Sequence, residues 1–296
     1  MTADHRQNVY SRVTDSIIAA IEAGAGDCRM PWHSQGDLAR PVNVASSKPY
    51  RGINTVALWV AAHATGFGSP VWGTYKQWQE RGAQVRKGEK SSTVVFWKVS
   101  DTGADDVGSQ AEEEGQPHAR VFARAYSVFN AAQVEGWEAP AMPVLPQAER
   151  IAHAEQFFAA LGATIRKGGP RACYIPSRDE IHLPPFAVFR DAVAYYATLA
   201  HEATHWTAHA SRCARDLKGR FGSESYAAEE LVAELGAAFL CSDLALTPEP
   251  RPDHAAYIAS WLTVLRGDPR AIFTAAAKAQ AAADWMHARQ SQAVAA

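Results

Sequence analysis

Residues 195–209 read YYATLAHEATHWTAH, and the rest of the chain is best understood from this stretch. It holds neither Pro nor Gly, and its small and apolar residues favour a helix. His201 and His205 are four apart, so on a helix they share one face and can offer two imidazoles to one ion. Glu202 lies about 100° further round the helix and does not chelate beside them. It can instead reach a water on the ion. That is the division of labour metal-assisted hydrolysis requires: zinc brings the water's pKa down towards ~7 and polarises a carbonyl, and a carboxylate takes the proton.

Two histidines at this spacing also arise by chance on an amphipathic helix, so the reading needs a third ligand. His209 continues the ladder but lies a further turn away, and reads as a surface or outer neighbour. The stretch SYAAEELVAELGAAFLC (225–241) predicts a helix with Glu229, Glu230 and Glu234 in otherwise apolar company. Glu230 as third ligand, with Glu234 one turn on steadying a ligand histidine, fits an i, i+4 arrangement. Glu229 is the alternative ligand, because spacing alone cannot rank adjacent carboxylates. Between the helices, SRCARDLKGRFGSESY is a basic, Gly-containing loop that either borders a cleft or is plain surface. His254 and Tyr257 are weak candidates for stabilising a transition state, with Tyr257 more readily read as packed.

Outward from this motif, the 296-residue chain is long enough for two domains. Apolar residues at Val9, Val13, Ile17, Ile18 and Ile21 predict a first helix stopped by Gly24. A second helix is expected to end at Gly66, and a short one to cover Lys76–Arg81. Strands are expected at Val94–Val99 and over ARVFARAYSVFN (119–130), pairing across the acidic insertion Asp101–His118, which reads as a solvated loop. The proline-rich EGWEAPAMPVLPQAER (135–150) is the most linker-like segment, placing the boundary between domains at 1–140 and 147–296. After it come a helix (Ala148–Leu161), two strands (ACYIPS and EIHLP), the His helix and further helices. That order suits a small metallopeptidase-like domain.

The composition is that of a folded globular protein, 47% hydrophobic and 20% charged. A net charge of −2 excludes a globally basic nucleic-acid binder but not a local basic groove. Four scattered cysteines (Cys28, Cys173, Cys213, Cys241) form no Cys-x-x-Cys pair and suggest a reducing, cytoplasmic setting. No apolar run is long enough to span a bilayer, so no membrane role is expected. Between Trp72 and Lys98, aromatic residues (Trp72, Tyr75, Trp78, Phe96, Trp97) interleave with Lys76, Arg81, Arg86, Lys87, Lys90 and Lys98. Such a mixture can hold single-stranded DNA, with cations along the phosphates and bases stacked on rings for roughly 1–3 kcal/mol each. Individual Trp and Phe are more often core, so the basic turn QVRKGEK is the sharper signal. Tyr50 and Arg51, in SSKPYRGIN, are further candidates.

With these residues in view, the sequence resembles the plasmid antirestriction family typified by ArdC, together with the N-terminal part of TraC-type conjugative primases. VYSRVTDSIIAAIEAG, PWHSQGDLARPVNVASSKPYRGIN, WGTYKQWQERGAQVRKGEKSSTVVFW and YSVFNAAQVEGW resemble that family's N-terminal single-stranded-DNA-binding domain. LAHEATHWTAH, YAAEELVAELGAAFLC and YIASWLTVLRGDPRAIFTAAAKAQAAADW resemble its zincin-like metallopeptidase domain. The resemblance implies an α+β protein: an N-terminal α+β single-stranded-DNA-binding domain joined to a mainly helical zincin-like domain. It implies a partner, single-stranded DNA entering a recipient cell in conjugation, and protection from type I and related restriction. It also implies one divalent ion, zinc or else manganese, on His201, His205 and a helix glutamate, with Glu202 as general base. Whether a protein of the restriction machinery is cut, or DNA is coated with the metal structural or vestigial, stays open. A metal-dependent nuclease is weaker, since no two-metal carboxylate cluster is evident.

Overall fold

A computed structural model describes residues 8–25, 30–33, 39–100, 120–138, 145–219, 222–246 and 254–293. The acidic insertion at 101–118, Cys28 and the centre of the proline-rich segment lie outside these residues.

The first helix, α1 (Val9–Gly24), buries Val13, Ile17 and Ile21, as its spacing predicts, and is capped by the Asn8 side chain. After the short strand β1 (Val42–Asn43) comes α2 (Ile53–Thr65), closed at Gly66 in the left-handed region (φ 71°). Next are β2 (Val71–Gly73) and α3 (Tyr75–Glu80), the latter opened by a reciprocal Thr74–Gln77 capping box. β3 (Gln84–Val85), β4 (Ser92–Ser100), β5 (Arg120–Asn130) and β6 (Val134–Glu135) complete this part. β4 and β5 pair antiparallel from Ser92↔Val128 to Ser100↔Arg120, the hairpin expected from the sequence. The sheet order is β1-β2-β5-β4, which leaves β4 at an edge. Asn54 of α2 covers that edge at Val95, donating to its carbonyl (2.8 Å) and accepting from its N–H (2.7 Å).

The second part opens with α4 (Gln147–Ala160), followed by β7 (Thr164–Lys167), β8 (Cys173–Ile175) and β9 (Glu180–Leu183). β8 and β9 are the two expected strands, and they pair antiparallel. β7, which its short polar sequence conceals, joins parallel to β9 and gives the order β7-β9-β8. Four helices follow: α5 (Ala192–Trp206), α6 (Glu224–Asp243), α7 (His254–Gly267) and α8 (Ala271–Ala293). Among the described residues no helix is long and apolar enough to cross a membrane.

The two parts share a core. α2 is apolar on more than one face: Leu58 faces Trp72 and Val94 of the sheet, while Val56, Trp59 and Val60 join α1 and the C-terminal helices. Trp59 packs on Phe239 of α6 (5.8 Å between centroids) and Tyr10 on Phe273 of α8 (4.7 Å). Arg40 makes a two-pronged ion pair with Asp243 (2.9 and 3.0 Å). The helices therefore bury one continuous apolar volume across the expected boundary.

α5 and α6 approach closely because Gly236 has no side chain. A Cβ there would lie 2.5 Å from Thr204 Cγ2 and 2.6 Å from its Oγ1. Gly236→Ala is expected to cost about 1–3 kcal/mol through overpacking. Denaturant titration should show a lower midpoint at unchanged slope, and adding Thr204→Ala should recover part of the loss.

Candidate metal centre

α5 starts at Asp191, whose carboxylate accepts the Ala194 N–H at 2.7 Å. The helix runs without interruption to Trp206 and places the rings of His201 and His205 on one face, 4.9 Å between centroids. α6 crosses it so that Glu230 lies opposite both rings. One Glu230 oxygen is 3.5 Å from His201 Nε2, and the other is 3.5 Å from His205 Nε2. One ligand atom from each of the three residues lies within 4.8 Å of the others. Bonds of about 2.0–2.1 Å to nitrogen and oxygen would put tetrahedral ligand atoms roughly 3.3–3.4 Å apart, so this donor set fits a divalent ion.

The outer side of each imidazole faces another carboxylate. His205 Nδ1 is 3.3 Å from Glu229 Oε1, and Arg215 grips both Glu229 oxygens (2.9 and 3.2 Å). Glu229, the alternative ligand on spacing grounds, is thus placed behind His205 rather than between the rings. His201 Nδ1 faces Glu234 Oε2 at 3.7 Å, beyond hydrogen-bond reach. The structure therefore brings together His201, Glu202, His205, Glu229, Glu230 and Glu234. The sequence does not single out Arg215, whose loop reads equally as a cleft border or plain surface; the loop does border the cleft, through Asp216 and Gly219. Arg212, in the same loop, is also turned inward, over the Trp206 ring and paired with Asp179.

These contacts set the ionisation. Burial disfavours a charged His205, but the hydrogen bonds of Glu229 and Glu230 outweigh it and raise its pKa to about 10. Burial likewise pushes Glu230 up, yet His201 and His205 hold it well below the ordinary carboxylate range. Against the same burial, His205 and Arg215 lower Glu229.

The centre opens into a cleft of about 230 Å³ lined by Glu202, the three donors, Cys173 and Tyr174 of β8, Asp216, Tyr226 and Tyr257. Glu202 is buried at its wall, 3% exposed. Desolvation and the Glu202 charge both push the Cys173 thiol up. The Tyr226 hydroxyl, missed in the sequence, stands 3.4 Å from that of Tyr257. Desolvation, then Tyr257 and Glu230, raise the Tyr226 pKa, so it stays a protonated donor. Tyr257 stacks on Trp261, the packed role expected of it, and also lines the cleft. His209 is turned to Ser211 (2.8 Å), away from the donors. The His254 side chain lies outside the described residues.

The nucleic-acid candidates divide by exposure. Tyr50, Trp72 and Trp78 are core residues at 6%, 1% and 0% exposed, which removes them as stacking faces. Their polar atoms are also spent inward: Trp78 donates to the Phe129 carbonyl, and Tyr50 accepts from Asn43. Tyr50 and Trp72 pack in one apolar cluster with Leu58, Val94 and Val128, and Trp78 in another with Val44, Val85 and Val134. Arg51 pairs with Asp284 of α8, and Arg86 with Glu89. Exposed Lys76 lies 3.8 Å from Glu80. Tyr75, Arg86 and Lys87 line a second depression of about 650 Å³, with Lys90 exposed nearby in sequence. Phe96 and Trp97 are exposed on the hairpin, with Tyr126 edge-on to Phe96 (5.5 Å) and Arg124 over Tyr126.

Comparison with known proteins agrees with this architecture. Residues 7–129 match the N-terminal domain of the anti-restriction factor ArdC, and residues 152–278 match a zincin-like metallopeptidase. An uncharacterised Sinorhizobium fredii protein, y4eC, is 59% identical over 97% of this chain and 94% of its own length. The Escherichia coli DNA primase TraC is 39% identical over 96% of this chain, which spans only 27% of that primase. The crystal structure of the metal-free antirestriction protein ArdC of plasmid R388 superposes with a TM-score of 0.78 at 43% identity, covering 96% of this chain and 98% of that one. Its Mn(II)-bound form gives 0.76 at 42% identity, covering 95% and 98%.

A raised histidine pKa adds stability that is fully present below its ordinary 6.5 and is lost as pH climbs through about 10. The depressed glutamates add stability that is present above about 4.5 and is lost as pH falls. Chelator-stripped protein should therefore lose stability between pH 6.5 and 10 more steeply than its His205→Gln variant, measured by denaturant titration across pH.

Proposed function

Because the chain belongs to the ArdC antirestriction family, we propose that it binds single-stranded DNA entering a recipient cell during conjugation and protects the incoming plasmid from type I and related restriction. The same molecule carries a metal-dependent, peptidase-type site, and it acts in the cytoplasm. The division of labour follows the two matched regions: residues 1–140 engage DNA, and residues 147–296 carry the metal centre. Nothing is carried over from the priming activity of TraC, of which the chain spans only a fraction.

The observation that carries the site reading is Glu230 set 3.5 Å from the inner nitrogens of both His201 and His205, with Glu202 buried alongside. In this reading His201, His205 and Glu230 hold a divalent ion, zinc in preference with manganese as the alternative. When bound, such an ion acidifies a coordinated water and polarises a carbonyl. Glu202 takes the proton and returns it to the leaving amine. Tyr226 and Tyr257 line the cleft, where a protonated phenol donates to oxygen that is gaining charge. β8 is an edge strand at the cleft, suited to an extended peptide laid beside it. The substrate is then a protein that meets the bound DNA, within the restriction machinery. A purely structural site has no use for Glu202 in an open cleft, which favours retained chemistry over DNA coating alone.

On the DNA side, exposed Lys87 and Lys90, with Tyr75, Lys76 and Arg86, line the single-strand path. Cations there neutralise phosphates and the exposed ring offers a stacking face.

Glu202→Gln is expected to keep its metal content while plasmid protection in a mating assay falls to the level without the protein. Full protection by that variant would leave the coating reading in place. Lys87→Ala should weaken single-strand binding and reduce the slope of log K against log salt by about 0.7. Unchanged affinity and slope would move the DNA path elsewhere.

A further inference from the structure

The N-terminal region reaches into the metal centre. Trp32, in the short turn Pro31–His33, is fully buried, and its indole Nε1 donates to Glu234 Oε1 of α6 at 3.2 Å across 202 residues of sequence. The other oxygen of that carboxylate faces His201 Nδ1 at 3.7 Å, while His201 Nε2 faces Glu230. We infer that Trp32 is a positioning residue of the metal centre, holding Glu234 so that its second oxygen stays directed at His201. This rests on the metal-site reading above.

The argument is one of donors and acceptors. An indole N–H can only donate, so it can satisfy a carboxylate oxygen but never compete for the imidazole proton. Glu234 is 3% exposed, and a buried carboxylate is costly unless donors answer both oxygens. With Oε1 engaged by Trp32, Oε2 is directed to the ring nitrogen. A proton on His201 Nδ1 leaves the Nε2 lone pair for an ion, the tautomer that an outer carboxylate selects. His201 Nδ1 has no hydrogen-bond partner among the described residues, and Glu234 Oε2, 3.7 Å away, is the carboxylate oxygen that faces it.

His205 is braced in the same manner by Glu229, which Arg215 holds. The two braces come from opposite ends of the chain. Arg215 follows α5 in sequence, whereas Trp32 belongs to the region matching the DNA-binding half. That region is fastened to α6 a second time, through Arg40 and Asp243, so the placement of Trp32 does not hang on one bond. The metal centre is consequently shared between the two matched regions.

The test is metal affinity of the full chain, by competition of Zn²⁺ and of Mn²⁺ against a chromophoric chelator. Trp32→Phe keeps a ring and removes the donor, and should weaken binding roughly tenfold, the low end of what losing an outer partner costs. In a Glu234→Leu background the same change should cost less than about twofold, because coupled partners are not additive. Unchanged affinity in Trp32→Phe, or full additivity with Glu234→Leu, overturns the inference and leaves Trp32 as core packing. Wild-type affinity in His201→Ala would instead overturn the metal-site reading beneath it. If Trp32→Phe does not fold, 3-benzothienylalanine at position 32 replaces N–H by sulfur in the same ring shape, and the same affinities decide.

Discussion

Where Thr204 of α5 meets the bare Cα of Gly236 in α6, two helices come close enough for one carboxylate to lie opposite two imidazoles. A methyl group at that crossing would drive them apart and take Glu230 with it. Helical spacing makes a pair of ring nitrogens easy to align, but a third donor must come from another element.

Three glutamates on one buried helix would repel each other and resist desolvation if left alone. Each is answered by named partners: Glu230 by both histidines, Glu229 by His205 and Arg215, Glu234 by the indole of Trp32 among others. These partners come from α5, from the loop after it and from the N-terminal turn. The centre is therefore a property of the assembled core. The apolar volume shared by α1, α2 and the C-terminal helices keeps those distant pieces in register.

In the N-terminal part, burial sorts residues that composition cannot. Trp72 and Trp78 are buried in two small apolar clusters, whereas Tyr75, Phe96 and Trp97 keep exposed faces. Two of its cations are paired, Arg51 with Asp284 of α8 and Arg86 with nearby Glu89, so the basic character of this half is more contained than its sequence suggests.

The sequence by itself was sufficient for most helices, for the β4–β5 hairpin and for the first donors, but not for short strands such as β7. Helices end at Gly24 and Gly66, β4 pairs with β5, and His201 and His205 share a face, because these depend on local periodicity and backbone preference. It also narrowed the outer carboxylates to Glu229, Glu230 and Glu234. Ranking the first two was beyond it, since neighbours on a helix differ by about 100° and only the crossing partner decides which one faces the rings. Arg215, Tyr226 and Trp32 were illegible for a related reason: a loop arginine, a helix tyrosine and a lone tryptophan carry no periodic signal. Their roles exist only once chain segments far apart in sequence are packed together, and that packing, set by one shared core and one missing side chain at Gly236, is what the tertiary structure decided.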